Sequence, residues 1–301
     1  MIGPRARALR SQVEQRISDL PLLPDAILEL VCTEPGATDV QLRVQTLVER
    51  EPALASRIAA LAHRVDPEAA EPVRTLPQAI ARIGAQRAGR MITSLFLLRT
   101  FAPDTEERRE LWRHALQTAT AAREIARASG HDVAPGRAYV AGLLHDIGRF
   151  LLLEEAPEGL RELEQPGWSA GAKWIVEERR HCGVDHAEVG HKMCRAWSLP
   201  EELALVARLH HEPEPEAELL HVSQQALLRI VQQADRLSCL LLAQPEIEDA
   251  PADERLTILD EACVHPSWDW VPAGPTHLDL LLGPIRTHGA QLIGVLGLEP
   301  T

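Results

Sequence analysis

Aromatic side chains are scarce in this chain of 301 residues, which has six Trp, three Phe and one Tyr. Alternating, β-branched strand patterns are nearly absent too, which argues against a sheet-based fold. The five cysteines (Cys32, Cys182, Cys194, Cys239, Cys263) are odd in number and scattered, with no CxxC pair. A disulfide framework or a thiolate zinc site is therefore not expected, and a reducing, cytoplasmic setting fits. No stretch reaches the roughly 18 uncharged apolar residues of a membrane span. The N-terminal MIGPRARALRSQVEQ lacks the apolar core of a signal peptide. Positive charge is in deficit: 31 Lys+Arg face 44 Asp+Glu, a formal net charge of −13. Such a surface repels phosphate backbones and argues against broad nucleic-acid binding.

What is present is ordinary in all but one respect. A hydrophobic fraction of 45% is that of a globular protein and excludes wholesale disorder. The length suffices for one large domain or two smaller ones. The exception is histidine, with 13 copies, and their placement decides the functional reading.

Segments rich in Ala, Leu, Arg and Glu carry apolar residues at helical spacing. Ile27, Leu28, Leu30 and Val31 mark a short helix after the Leu20-Pro21-Leu22-Leu23-Pro24 loop. Val40, Val44, Leu47 and Val48 mark another, and Leu54, Ile58, Leu61 and Ala62 a third. The pattern continues through Ala79–Ile83 and Met91–Phe101, and residues 105–129 read as one long helix capped by Gly130. The fold class expected is all-α. His63–Thr75, with Asp66, Pro67 and Pro72, reads as an exposed loop, and the acidic 244–254 as a connector to a C-terminal appendage. That appendage holds the Trp268–Trp270 pair and the apolar run Leu278–Leu282, broken by Asp279. The pairs Gln224–Gln225 and Gln232–Gln233 read as solvated helix surface.

Five histidines join two aspartates in a recognisable order: His114 in LWRHAL, His145 and Asp146 in AGLLHDIGRF, His186 in GVDHAEVGHKM, His210 and His211 in ARLHHEP, and Asp235 in VQQADRLS. Imidazole nitrogens and carboxylate oxygens together suit Zn, Mn, Fe or Ni. A carboxylate can bridge two metals, and such a pair can polarise a phosphoryl oxygen and generate a hydroxide nucleophile.

The order His…His-Asp…His…His-His…Asp resembles the HD superfamily of metal-dependent phosphohydrolases, in the longer form of the HD-GYP phosphodiesterases. Upstream, LPLLPDAILELV, EREPALASRIAALA and LPQAIARIGAQRAGRMI resemble the HDOD family, the HD-related output domain of bacterial signalling, over residues 19–212. The resemblance implies an N-terminal helical subdomain (1–104), an HD-type helical core (105–243) and a C-terminal extension (244–301). It implies that His114, His145, Asp146 and Asp235 hold a first divalent metal, and that Asp146 bridges to a second on His186, His210 and His211. Arg149, where active HD enzymes often have Lys, would face substrate phosphate with a bidentate fork. HDOD proteins commonly lack several of these ligands, whereas this sequence keeps all seven. It lacks the Gly-Tyr-Pro loop, since HHEP runs into EPEAELLH, which counts against cyclic di-GMP hydrolysis. The implied role is bacterial signal transduction through a protein partner, or hydrolysis of a nucleotide or other phosphate ester.

The remaining candidates have plainer readings. His181 and His191 are surface residues or orient the ligands, with Glu188 or Asp185 as carboxylates that could do the latter. His63, His131, His221, His265, His277 and His288 are background. Trp112 and Trp197 are packing residues, and Cys182 and Cys194 are buried thiols. Arg108, Arg109 and Arg113 lie on a solvated, salt-bridged face with Glu106, Glu107 and Glu110. Arg82, Arg87, Arg90 and Arg99 form the densest positive stretch, a candidate surface for a partner or an anionic ligand.

Overall fold

The computed structural model describes residues 3–32, 40–50, 52–65, 73, 75–157, 171–212 and 220–299. These are helical throughout, with no strand among the described residues. The helices are α1 (Pro4–Ser18), α2 (Asp25–Cys32), α3 (Val40–Arg50), α4 (Pro52–Val65), α5 (Leu76–Ile83), α6 (Ala85–Thr100), α7 (Glu106–Ala128), α8 (Pro135–Leu144), α9 (Ile147–Glu155), α10 (Gly171–Cys182), α11 (His186–Ala196), α12 (Glu201–Leu209), α13 (Val222–Ala243), α14 (Ala252–Cys263) and α15 (Pro275–Leu296). None of them is long and apolar enough to cross a membrane.

Local chemistry sets the boundaries. Thr75 and Gln78 form a reciprocal capping box at the start of α5, satisfying two backbone donors that the first turn leaves open. The Thr105 side chain accepts from the Arg108 amide to open α7. Beyond its last turn, Gly130 adopts φ +69°, as the sequence anticipates. Residues 244–251 form the connector, with one 3-10 turn at Ile247–Asp249, and α14 starts at Ala252. Most of the anticipated loop between His63 and Thr75 lies outside the described residues.

Four of the ten aromatics form one cluster. Trp112 and Phe150 rings lie 4.5 Å apart, Phe101 and Phe150 5.6 Å, and Phe101 and Trp197 6.4 Å. Both indoles satisfy their N–H on backbone carbonyls, Trp112 on Phe101 and Trp197 on Pro21, so they pack as the sequence suggests. The α1 helix, which hydrophobic periodicity does not reveal, buries Val13 and Ile17 in the core and is held at its rim by charge. Arg10 reaches the Gly183 carbonyl and Glu188, and Arg16 reaches Glu154.

Two expectations need correction. Gln232 and Gln233 are buried, not solvated. Gln232 donates to the Glu212 carbonyl (2.6 Å), while Gln233 donates to Ala273 O (2.8 Å) and accepts from Ala273 N (2.9 Å). Gln233 is covered because the tail folds back over α13, and Gln232 faces the end of α12, where it also reaches the Leu209 carbonyl; α15 runs against α7 and α4. Arg57 on α4 donates to the Val295 carbonyl and Arg113 on α7 to that of Leu298. Arg109 and Arg113 make expected ion pairs with Glu106 and Arg108 pairs with Asp104 instead, but Arg108 and Arg113 are largely covered.

Candidate metal centre

The seven singled-out ligands come from five places in the chain and converge. His114 lies mid-way along α7, His145 and Asp146 at the α8–α9 junction, His186 opens α11, His210 and His211 follow α12, and Asp235 lies on α13. The junction can form because α9 and α11 touch backbone to backbone at Gly148. A Cβ there would sit 2.1 Å from the His186 carbonyl oxygen, so only glycine lets His186 approach.

Four of the five rings, those of His114, His145, His186 and His210, are oriented from behind. His145 donates through Nδ1 to Gly142 O (2.7 Å) and His210 to Ala207 O (3.0 Å). His186 donates through Nδ1 to Glu178 Oε2 (2.6 Å), which also accepts from the His186 amide (2.8 Å). Ser238 Oγ lies 3.1 Å from His114 Nδ1 and donates to the His114 carbonyl, so it accepts the Nδ1 proton. Fixing Nδ1 as the donor leaves Nε2 as the lone-pair atom that faces inward.

These inward nitrogens meet two carboxylates in two groups: His114, His145 and Asp235, and Asp146, His186, His210 and His211. Within each group the candidate ligand atoms lie within 4.8 Å of one another. Asp146 faces both. Its Oδ1 is 3.3 Å from His186 Nε2 and 3.4 Å from His210 Nε2, while Oδ2 is 3.7 Å from His114 Nε2 and 3.6 Å from His145 Nε2. Asp235 Oδ1 is 3.2 Å from His114 Nε2 and 3.6 Å from His145 Nε2.

The donor set fits a cation. His186 Nε2 lies 2.9 Å from His211 Nε2, His114 Nε2 lies 3.2 Å from His145 Nε2, and the buried Asp146 Oδ1 has no hydrogen-bond partner. Acceptor atoms crowded this closely need shared positive charge, either protons or metal ions. Titration expresses the same demand. Burial alone would depress His145, but Asp146 and Asp235 outweigh it and lift the imidazole to about 9. Burial would raise Asp146, yet His145, Arg149 and His186 hold it well below the usual carboxylate range. His211 moves down, first through burial and then through repulsion by His210 and His186. Five of the seven are buried, and His211 and Asp235, partly exposed, form the rim.

Arg149 does not project freely toward a substrate. It pairs with Asp146 Oδ2 at 3.2 Å, and its guanidinium lies 4.7 Å from the Trp174 ring centre. Neither Glu188 nor Asp185 orients a ligand. Asp185 caps α11 and pairs with Arg179, and Glu188 pairs with Arg10 and Lys192. The carboxylate that orients His186 is Glu178, which the sequence reading missed, as it did Trp174. His181 faces Glu177 and His191 the Ala204 carbonyl, outside both groups. Cys239 lies 3.7 Å from Asp235, and burial together with Asp235 pushes its thiol well above the ordinary range, so it stays protonated. The segment expected to lack a Gly-Tyr-Pro loop falls largely at 213–219, outside the described residues.

Comparison with known proteins identifies the family and the fold. The HDOD domain model matches residues 20–213. An HDOD domain protein of unknown function from Geobacter sulfurreducens has a solved structure that superposes with TM-score 0.70 at 24% identity, covering 97% of this chain and 98% of that one. A candidate phosphohydrolase from Shewanella amazonensis SB2B gives 0.67 at 21% identity, covering 94% and 97%. Both likenesses establish the fold. An uncharacterized protein of Treponema pallidum (strain Nichols) is 27% identical over 211 residues. That match covers 70% of this chain and 41% of the relative, so the chain spans about two-fifths of that protein's length.

Proposed function

The chain belongs to the HDOD family, and from that premise we propose that it is a bacterial signal-transduction protein built around a two-metal HD centre. His114, His145, Asp146 and Asp235 would hold one divalent ion (Fe, Mn, Ni or Zn), and His186, His210 and His211, with Asp146 shared, would hold a second. The observation that carries this reading is the division of Asp146, with one oxygen facing each histidine group. A merely structural aspartate would need one set of partners, and the orphaned Oδ1 would be costly without a cation.

The second reading is that the centre hydrolyses a phosphate ester. The placement of Arg149 beside Asp146 favours it, because a fixed guanidinium there adds positive field where a phosphoryl group would approach the rim at His211 and Asp235. When bound, the two ions supply Lewis acidity toward phosphoryl oxygen. Glu178, Gly142, Ala207 and Ser238 hold the imidazoles in the tautomer that ligation needs.

Elemental analysis of purified protein, followed by assay of a chromogenic phosphodiester with added Mn or Fe, tests both. Two equivalents of metal lost in Asp146→Ala support the centre, and turnover lost with them supports the enzyme. Metal-loaded protein inert toward a panel of phosphate esters leaves the signalling role and removes the catalytic one. Failure to bind metal after reconstitution sinks both.

A further inference from the structure

We propose a second ligand site, separate from the metal centre, where α6, α7, α8 and α15 meet. It takes a phosphoryl dianion, as free phosphate or the terminal phosphate of a small metabolite, between Arg87, Arg90 and Arg123.

In a chain of net charge −13, guanidiniums are expected to be matched by carboxylates, and here three of them share one, Glu124. Arg87 and Arg90 are three residues apart and so share one face of α6. Arg123 comes from α7, Tyr139 from α8 and His288 from α15. With Thr120 they line one cavity of about 10 Å³, room for a water-sized group or a single oxyanion corner. Among the described residues one carboxylate, Glu124, acts on the cluster, and it is shared with Arg127. Three guanidiniums against one carboxylate leave two positive charges uncompensated, the complement of a dianion rather than of a single carboxylate.

The hydrogen-bond inventory is also incomplete. Arg90 lies over the Tyr139 ring, 5.5 Å from its centre, and makes no side-chain hydrogen bond to any described residue. Arg123 Nε is buried without a hydrogen-bond partner. Its Nη2 is taken by Glu124 and lies 3.0 Å from His288 Nδ1, and among the described residues the Arg87 side chain hydrogen-bonds the neutral amide of Gln291 alone. Burial and then repulsion by Arg123 pull Arg90 down to about 10, the mark of a cation held without an adequate counter-charge. An oxyanion between the forks satisfies these donors and removes the repulsion.

The site joins segments distant in the chain. Arg123 lies nine residues from His114 on α7, roughly 14 Å along the axis at about 1.5 Å per residue, so an anion held there does not touch the metal ligands.

The test uses full-length protein stripped of metal by a chelator and titrated with inorganic phosphate. Chloride at matched ionic strength is the control, and binding is read by thermal midpoint and phosphorus NMR linewidth. The expected result is a saturable rise with phosphate that chloride does not reproduce and that Asp146→Asn keeps. Arg90→Met should weaken phosphate binding at least tenfold while its midpoint without phosphate equals or exceeds that of the wild type, since repulsion is relieved. A purely structural arginine would instead lower that midpoint. If Arg90→Met fails to fold, Arg87→Gln must show the same tenfold loss. No saturable shift, wild-type affinity in the folded arginine variants, or loss of binding in Asp146→Asn overturns the proposal.

Discussion

Glu178 and His186 are joined twice, the same carboxylate oxygen accepting from the imidazole Nδ1 at 2.6 Å and from the backbone amide at 2.8 Å. Both residues are fully buried, so Glu178 fixes the ring and the first turn of α11 together. Glu178→Ala is expected to weaken metal binding about 10–100-fold, the usual effect of losing a carboxylate behind a ligating histidine. Glu178→Gln, which can still accept from the amide, should fall between the two. Competition against a chromogenic chelator measures this, and unchanged affinity in Glu178→Ala would remove Glu178 from the site.

That carboxylate also marks where the sequence stops being informative. The seven His and Asp positions were legible because their order along the chain is itself a pattern, and the helices because apolar spacing repeats within each one. Glu178 lies in an ordinary charged stretch eight residues before His186, and only the turn at Gly183 brings it back. Nothing periodic links two residues on different helices. Gln232 and Gln233 misled for a related reason: a helix's local pattern does not reveal that the end of another helix will cover one residue and a distant tail the next. The role of Arg149 was half legible. Its charge belongs at the centre, but its engagement with Asp146 depends on the helix turn that follows the junction.

Gly148 carries a steric prediction. Because a Cβ would lie 2.1 Å from His186 O and 2.6 Å from Gly190 N, Gly148→Ala must push α9 and α11 apart. A loss of about 1–3 kcal/mol in denaturant-measured stability is expected, with weaker metal binding because His186 moves with α11. If stability and metal affinity both hold at wild-type values, the close approach does not position the site.

Gln233 tests how the tail is held. Its amide both donates to and accepts from the Ala273 backbone, so Gln233→Ala leaves two buried groups unpaired. A loss of about 2–6 kcal/mol follows from two such penalties of about 1–3 kcal/mol each. The cut sites in limited proteolysis should then shift toward residues 264–274. Gln225→Ala, whose side chain bonds one carbonyl from a half-buried position, should cost under about 1 kcal/mol. Equal effects in the two variants would contradict the clamp.

Glu124 gives the pH dependence its sign. Burial would raise its carboxyl, but hydrogen bonding with His288 and the Arg123 charge outweigh burial and hold it at about 2, against an ordinary 4.5. A depressed carboxyl adds stability that is complete above its unfolded value and is lost as pH falls from about 4.5 toward 2. The wild type should therefore exceed Glu124→Gln by on the order of 2 kcal/mol near neutrality, and thermal midpoints should converge as the pH approaches 2. The same substitution strips the arginine cluster of the one carboxylate acting on it, so phosphate at neutral pH should narrow the gap by stabilising Glu124→Gln more than the wild type. A gap independent of pH would mean that Glu124 acts through packing. A gap that phosphate leaves untouched would mean that the guanidiniums are balanced by some other group.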